Sequence, residues 1–149
     1  MPTQAQPHNM PGKIRTGVKA IIVDGDELLL IRERIDGQLI YDFPGGGMEF
    51  GESFEQALKR EVFEEVGLKI QVGNLVGSWW FMIKHSQIQI VCLAYQCQCT
   101  NRQALDLDHN PAEEEDIAEA FWIKKSELIK QADTLLRVPG MLEAVLRLK

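Results

Sequence analysis

Gly46 to Leu68 reads GGMEFGESFEQALKREVFEEVGL, a glycine-rich turn that runs straight into a carboxylate-loaded amphipathic segment. Pro44-Gly45-Gly46-Gly47 neither continues a strand nor starts a helix cheaply, because proline lacks a donor and successive glycines carry a large backbone entropy cost. A shaped loop is expected there. From Glu52 onward Phe54, Leu58, Val62 and Val66 recur every fourth position, one apolar stripe at 3.6 residues per turn. Gly67 suits the end of that helix. Glu61, Glu64 and Glu65, at i, i+3 and i+4, fall together on a sector beside the stripe.

Like charges at this spacing repel and weaken a helix. One reading is a solvated acidic face, the usual fate of a charge block. The other is a site for a hard divalent cation, since magnesium and manganese take oxygen ligands from a few carboxylates together with substrate phosphates. The glycine loop that feeds the helix favours the second reading.

These residues resemble the Nudix hydrolase family, whose signature is G-x5-E-x7-R-E-U-x-E-E-x-G-U with U a bulky aliphatic. The chain supplies Gly46, Glu52, Arg60, Glu61, Val62, Glu64, Glu65, Gly67 and Leu68 without a mismatch. At average composition the fixed letters arise by chance on the order of once in 10⁸ to 10⁹ starting positions, so the match is specific. The resemblance implies an α/β (α+β) fold, an α/β/α sandwich with a mixed β-sheet between helices; sequence pattern alone gives only a single α+β or α/β domain.

It also implies roles. Glu61, Glu64 and Glu65 would bind Mg²⁺ or Mn²⁺, the Gly45 carbonyl would complete the site, Arg60 would orient the glutamates and Glu52 would act through the arginine. A further acidic ligand from a downstream loop is expected at Glu115 or Asp116. The implied reaction is hydrolysis of a diphosphate linked to another group, with Glu61 or a downstream carboxylate as the base.

The rest of the chain sets the bounds. At 149 residues it is long enough to bury a core without disulfides. Sixteen basic against 22 acidic residues give a net charge of −6, which argues against general nucleic-acid or anionic-membrane binding. Cys92, Cys97 and Cys99 lie in one apolar run; small core residues are the expected role, a redox or metal pair the alternative. His8, His85 and His109 form no ligand spacing. No run is long enough to span a membrane, no signal-type apolar segment opens the chain, and a cytoplasmic protein is expected.

In order, Met1 to about Lys13 is a polar, proline-containing tail, expected to be flexible, which leaves 14–149 as one domain. Val18 to Val23 and Leu28 to Ile31 read as strands joined by Asp24-Gly25-Asp26. Arg32 to Gln38 reads as a polar loop. Arg32 and Arg34 either reach substrate phosphates or end a strand in solvent. Leu75 to Ile83 and Ile88 to Cys99 read as a long antiparallel hairpin. In it Trp80 faces away from Trp79 and Phe81, so one of the three can stack on a base, or they serve a core or a homodimer face. Thr100 to Asp116 is an acidic connector, Ala120 to Ile123 a strand, Ser126 an N-cap and Pro139 the first turn of a closing helix.

No proline lies between Gly67 and Asn110, which disfavours the ADP-ribose hydrolases that the resemblance includes, and the coenzyme A and NADH subgroup signatures are absent. A nucleoside di- or triphosphate, an oxidised one included, is the expected substrate. ADP-ribose or a nucleotide sugar is the alternative, and a non-catalytic nucleotide-sensing module the reading from a different class.

Overall fold

The computed structural model describes residues 12–35, 37–83, 86–108 and 116–149. Its spine is β1 (Lys13–Asp24), whose alternate residues serve two cores. Val18, Ala20 and Ile22 enter one, Ile21 the other, and all four are fully buried. Period-two alternation with both faces apolar is what a strand covered on both sides requires.

β1 turns through Gly25 (φ 62°) into β2 (Glu27–Ile35), pairing antiparallel at Asp24 and Glu27. On its other side β1 runs parallel to β6 (Ile88–Cys99), which forms an antiparallel hairpin with β5 (Ile70–Ile83). β2 also pairs antiparallel with β3 (Gln38–Asp42) and β7 (Asp116–Lys124). The path is β3-β2-β1-β6-β5, a mixed sheet. α1 (Phe54–Val66) covers one face with Ala57, Leu58, Val62 and Val66. α2 (Lys125–Lys130), α3 (Ala132–Leu135) and α4 (Pro139–Leu146) cover the other through Leu128, Leu135, Met141, Ala144 and Val145. Helices thus flank a mixed sheet, as the family resemblance implies.

Four local expectations are corrected. The glycines do not form a free loop: Gly45–Gly47 is a short strand, β4, antiparallel to β1, with Gly45 facing Lys19 and Gly47 facing Gly17. Gly45 has φ 148°, and a Cβ there would collide with the Val18 carbonyl and the Lys19 Cα. The ladder is therefore open to glycine at this point, and pairing offsets the entropy cost. Arg32 to Gln38 is not a loop either. β2 continues to Ile35, Gly37 (φ 77°) supplies the turn, and β3 follows directly.

Phe54 is not in the core; it is exposed and rests on the Tyr95 ring at 5.9 Å, while the rest of its stripe is buried. Ser126 does not cap α2, because β7 runs into the helix without a break: Lys124 takes the cap position and the Lys125 N–H donates to the Asp26 carbonyl at 2.8 Å. Pro139 does open α4, where its missing donor costs nothing. Residues 1–11, Lys84-His85 and 109–115, including all three histidines and Glu115, lie outside the described residues.

Candidate active site

α1 begins with a reciprocal cap. Ser53 Oγ accepts from Gln56 N at 3.1 Å and Gln56 Oε1 accepts from Ser53 N at 2.9 Å, satisfying two of the donors a helix start leaves open. It ends at Gly67, whose φ of 73° allows the N–H to close on the Phe63 carbonyl. Between these ends the helix lies against β4, and its acidic sector meets a strand that has no side chains.

Two carboxylates are buried at that contact. Glu65, 1% exposed, accepts from the Gly45 N–H at 2.7 Å. Glu61 lies beside Gly46 so closely that a Cβ there would be 2.5 Å from its Oε2. Burial pushes the Glu61 carboxyl above the usual carboxylate range, against the opposing hydrogen bond and charge of Arg60. Glu64, one helical position before Glu65, is only partly covered.

Arg60 is the hub. Its Nε and Nη2 reach the two oxygens of Glu52 at 2.7 and 2.8 Å, a fork-to-fork pair. Its Nη1 donates to Glu61 at 2.9 Å and to Glu64 at 3.4 Å, and Nη2 also reaches the Gly47 carbonyl at 3.1 Å. Glu52, which also accepts from the Glu49 N–H, is held down to about 2, first by the Arg60 hydrogen bond. One guanidinium therefore ties the loop, the glycine strand and two helical carboxylates into one unit.

The donor set suits a hard cation. Glu61, Glu64 and Glu65 supply carboxylate oxygens beside exposed and half-buried glycine backbone, the chemistry that magnesium and manganese prefer. Among the described residues no three acidic, histidine or cysteine side chains form a closed cage. Arg60 Nη1 stands between Glu61 and Glu64 instead.

The three residues expected to touch substrate do not form one cluster. Arg32 and Arg34 lie on β2, Trp80 on β5, with β1 and β6 between them. Arg32 pairs with Glu119 at 2.7 Å and stands 6.0 Å from the Tyr41 ring centroid. Trp80 is 59% exposed, while Trp79 is buried in the core. Asp116 opens β7, and Glu115 falls outside the described residues. The cysteines carry free thiols; Cys92 and Cys97 are buried on opposite core faces, and burial pushes the Cys97 thiol up to about 12.

Three charged residues near β4 were not singled out in the sequence: Lys19, Asp42 and Arg137. Lys19 and Asp42 are buried and joined at 2.9 Å, and Arg137 reaches the same Asp42 oxygen at 2.8 Å. The only sequence signal was a lysine inside the apolar run after Val18. No described helix is long and apolar enough to cross a membrane.

A family model described as the NUDIX domain matches residues 13–143. The chain is 27% identical over 145 residues to Nudix hydrolase 25 of Arabidopsis thaliana, covering 83% of this chain and 80% of that protein. It is 47% identical over 57 residues to an RNA pyrophosphohydrolase of Teredinibacter turnerae, a match that spans 38% of this chain and only 33% of that protein. The solved structure of a NUDIX hydrolase from Nitrosomonas europaea has a TM-score of 0.71 at 25% identity, covering 89% of this chain and 86% of that one. With the signature complete from Gly46 to Leu68, the fold shared and the family model spanning nearly the whole described chain, the protein belongs to the NUDIX domain family, that of the Nudix hydrolases.

Proposed function

We propose that the chain is a divalent-cation-dependent pyrophosphohydrolase whose substrate is a nucleoside di- or triphosphate, oxidised nucleotides included. The observation that carries this reading is the Arg60 hub, which holds Glu61 and Glu64 beside the glycine strand while Glu52 holds the arginine. Glu52, Glu61, Glu64 and Glu65 are all present in the signature, which favours a hydrolase over a module that only binds.

Glu61, Glu64, Glu65 and the Gly45 carbonyl would hold Mg²⁺ or Mn²⁺, with Glu115 or Asp116 as the further carboxylate. Such a cation, when bound, neutralises phosphate charge and activates water at neutral pH. Glu61 is the base in this reading. Its contact with Gly46 fixes where it can act. Arg60 stays charged and orients both neighbouring glutamates.

Arg32 and Arg34 would face the phosphate end and Trp80 the base. β2 and β5 are three strand spacings apart, about 14 Å across the strands, so the two ends of the substrate fall to different residues. An exposed indole suits stacking on a nucleobase. The free thiols support a cytoplasmic setting.

A second reading takes the triphosphate 5′ end of an RNA as substrate. The local similarity to the RNA pyrophosphohydrolase of Teredinibacter turnerae favours it; the net charge of −6 favours the mononucleotide. The test is product analysis with nucleoside triphosphates, oxidised nucleotides, nucleotide sugars, ADP-ribose and 5′-triphosphorylated RNA, each with Mg²⁺, Mn²⁺ or EDTA, reading released phosphate and pyrophosphate from the triphosphates and the RNA, and the nucleoside monophosphate and sugar phosphate from the sugars and ADP-ribose. A metal-dependent preference for a mononucleotide is expected. Turnover that survives EDTA, or none on any substrate when a nucleotide binds, would overturn the hydrolase reading.

A further inference from the structure

Lys13, Arg15, Gly17 and Lys19 follow one another at every second position of β1 and so share one face of the strand. The glycine shows which face. A Cβ at Gly17 would lie 3.6 Å from Cys92 Sγ and 3.7 Å from Ile90 Cγ2, both on the side that α2 to α4 cover, and 3.5 Å from the Gly46 carbonyl oxygen. Arg15 stands directly opposite Ile90, and Ile90 opposite Phe81, over whose ring Arg137 lies at 5.0 Å. An apolar floor is thus bordered by a guanidinium on each side.

Few carboxylates balance these cations. Lys19 and Arg137 share a single one, Asp42. Lys13 and Arg15 are exposed, and among the described residues neither meets an acidic side chain. Arg32, by contrast, is already engaged by Glu119. In a chain of net charge −6, a local cationic face of this kind draws an anion.

Its place beside the candidate active site says which anion. The Met48 N–H donates to the Thr16 carbonyl at 3.1 Å, so pairing continues one step past β4 and sets Arg15 next to the turn that ends at Glu52, the carboxylate that grips Arg60. Among the described strands β4 pairs with β1 alone, so it is an outer strand. Glu61 meets it from the α1 side and Arg15 lies on the other, and a ligand at this outer edge can meet both. A divalent cation offsets only part of the charge of a triphosphate; a planar guanidinium matches the phosphate oxygens that remain.

We infer that Arg15 is a substrate-binding residue: its guanidinium takes a phosphate oxygen of the nucleotide held at the cation site, from the face of β1 opposite α1. The substrate class comes from the pyrophosphohydrolase reading proposed above.

The experiment compares the full wild-type chain with Arg15→Gln, Arg15→Lys and Lys69→Gln. The last removes one exposed charge beyond the far end of β6, where the Lys69 carbonyl accepts from the Thr100 N–H. Two quantities are read: kcat and KM on nucleoside triphosphates with Mg²⁺, and calorimetric affinity for tripolyphosphate with Mg²⁺, which needs no turnover. Arg15→Gln is expected to raise KM and to weaken tripolyphosphate about 10- to 100-fold, the worth of a charged hydrogen bond. Its kcat should stay within about threefold of wild type, as for loss of uniform binding, and its thermal midpoint should not move, because Arg15 is exposed. Arg15→Lys, which keeps the charge without the fork, should fall between the two, and Lys69→Gln should match wild type within about twofold. Arg15→Gln with KM and tripolyphosphate affinity within about threefold of wild type, or a loss that Lys69→Gln reproduces, overturns the inference and leaves the hydrolase reading standing. Wild type that binds tripolyphosphate through Arg15 yet turns over no nucleotide upholds the inference and removes that reading. Wild type that does neither removes both.

Discussion

Gly46→Ala tests whether the glycine strand is shaped to the Glu61 carboxylate. The backbone at Gly46 is one any residue can adopt, since it is not among the positive-φ glycines. The effect is therefore purely one of space. A Cβ would fall 2.5 Å from Glu61 Oε2, 2.6 Å from Cδ and 2.9 Å from Oε1, whereas carbon contacts settle at about 3.5–4.0 Å. The carboxylate must withdraw by about 1 Å, and displacement on that scale in a catalytic group can cost about 100-fold in rate. The fold should survive, because Glu61 can move toward water and regain solvation that burial denies it. Gly47→Ala is the internal control, as its Cβ would meet nothing within 4 Å. Steady-state kcat and the urea midpoint, measured on both variants, separate chemistry from stability. If Gly46→Ala keeps kcat within about threefold of wild type, or loses it only as the chain unfolds, a carboxylate held in place by the strand is not what sets the rate.

Three further outcomes follow from the same contacts. Arg60→Lys keeps the charge but loses the fork that grips both Glu52 oxygens, so kcat should fall about 10- to 100-fold with little change in overall fold by circular dichroism; near-normal kcat would show that the bidentate geometry is dispensable. Glu52 is held down to about 2 against an ordinary value near 4.5, so its contribution to stability is complete above pH 4.5 and is lost as pH falls toward 2; Glu52→Gln should flatten the urea midpoint across that window, and an unchanged slope would refute the pairing. Glu61 is shifted the other way, so its neutral form suits the fold better than its charged form, and Glu61→Gln should raise the urea midpoint at pH 7 while abolishing most turnover; a lower midpoint would mean that the Arg60 pair outweighs burial.

How much could be read beforehand differs from residue to residue. Leu58, Val62 and Val66 were legible because a helix with one buried face imposes its period on the sequence. The Arg60 hub was legible through its family pattern, although composition alone left a solvated acidic face open. β4 was not legible, since propensity describes what glycine costs in isolation, while the strand exists because β1 offers partners and α1 needs a wall without side chains. Lys19, Asp42 and Arg137 were illegible for a related reason. Their spacings, 23 residues from Lys19 to Asp42 and 95 from Asp42 to Arg137, are set by tertiary closure and leave no local period.

These observations bear on why the site is placed at a seam between helix and strand. Glu61 and Glu65 are more buried than isolated carboxylates tolerate, and each is kept there by a fixed dipole or charge: the Gly45 N–H for Glu65, Arg60 for Glu61. A loop could not hold such groups against their preference for water, because it would move to solvate them. A capped helix locked against a paired strand cannot yield in that way. The stability surrendered at Glu61 is recovered in the apolar stripe beneath it, from Ala57 to Val66, whose buried residues belong to the same helix turns. Conservative truncation in that stripe, such as Val62→Ala, should therefore loosen the carboxylates as well as the core, lowering kcat by more than the loss of folded protein explains. A kcat that tracks the folded fraction alone would show that helix packing and carboxylate placement are independent.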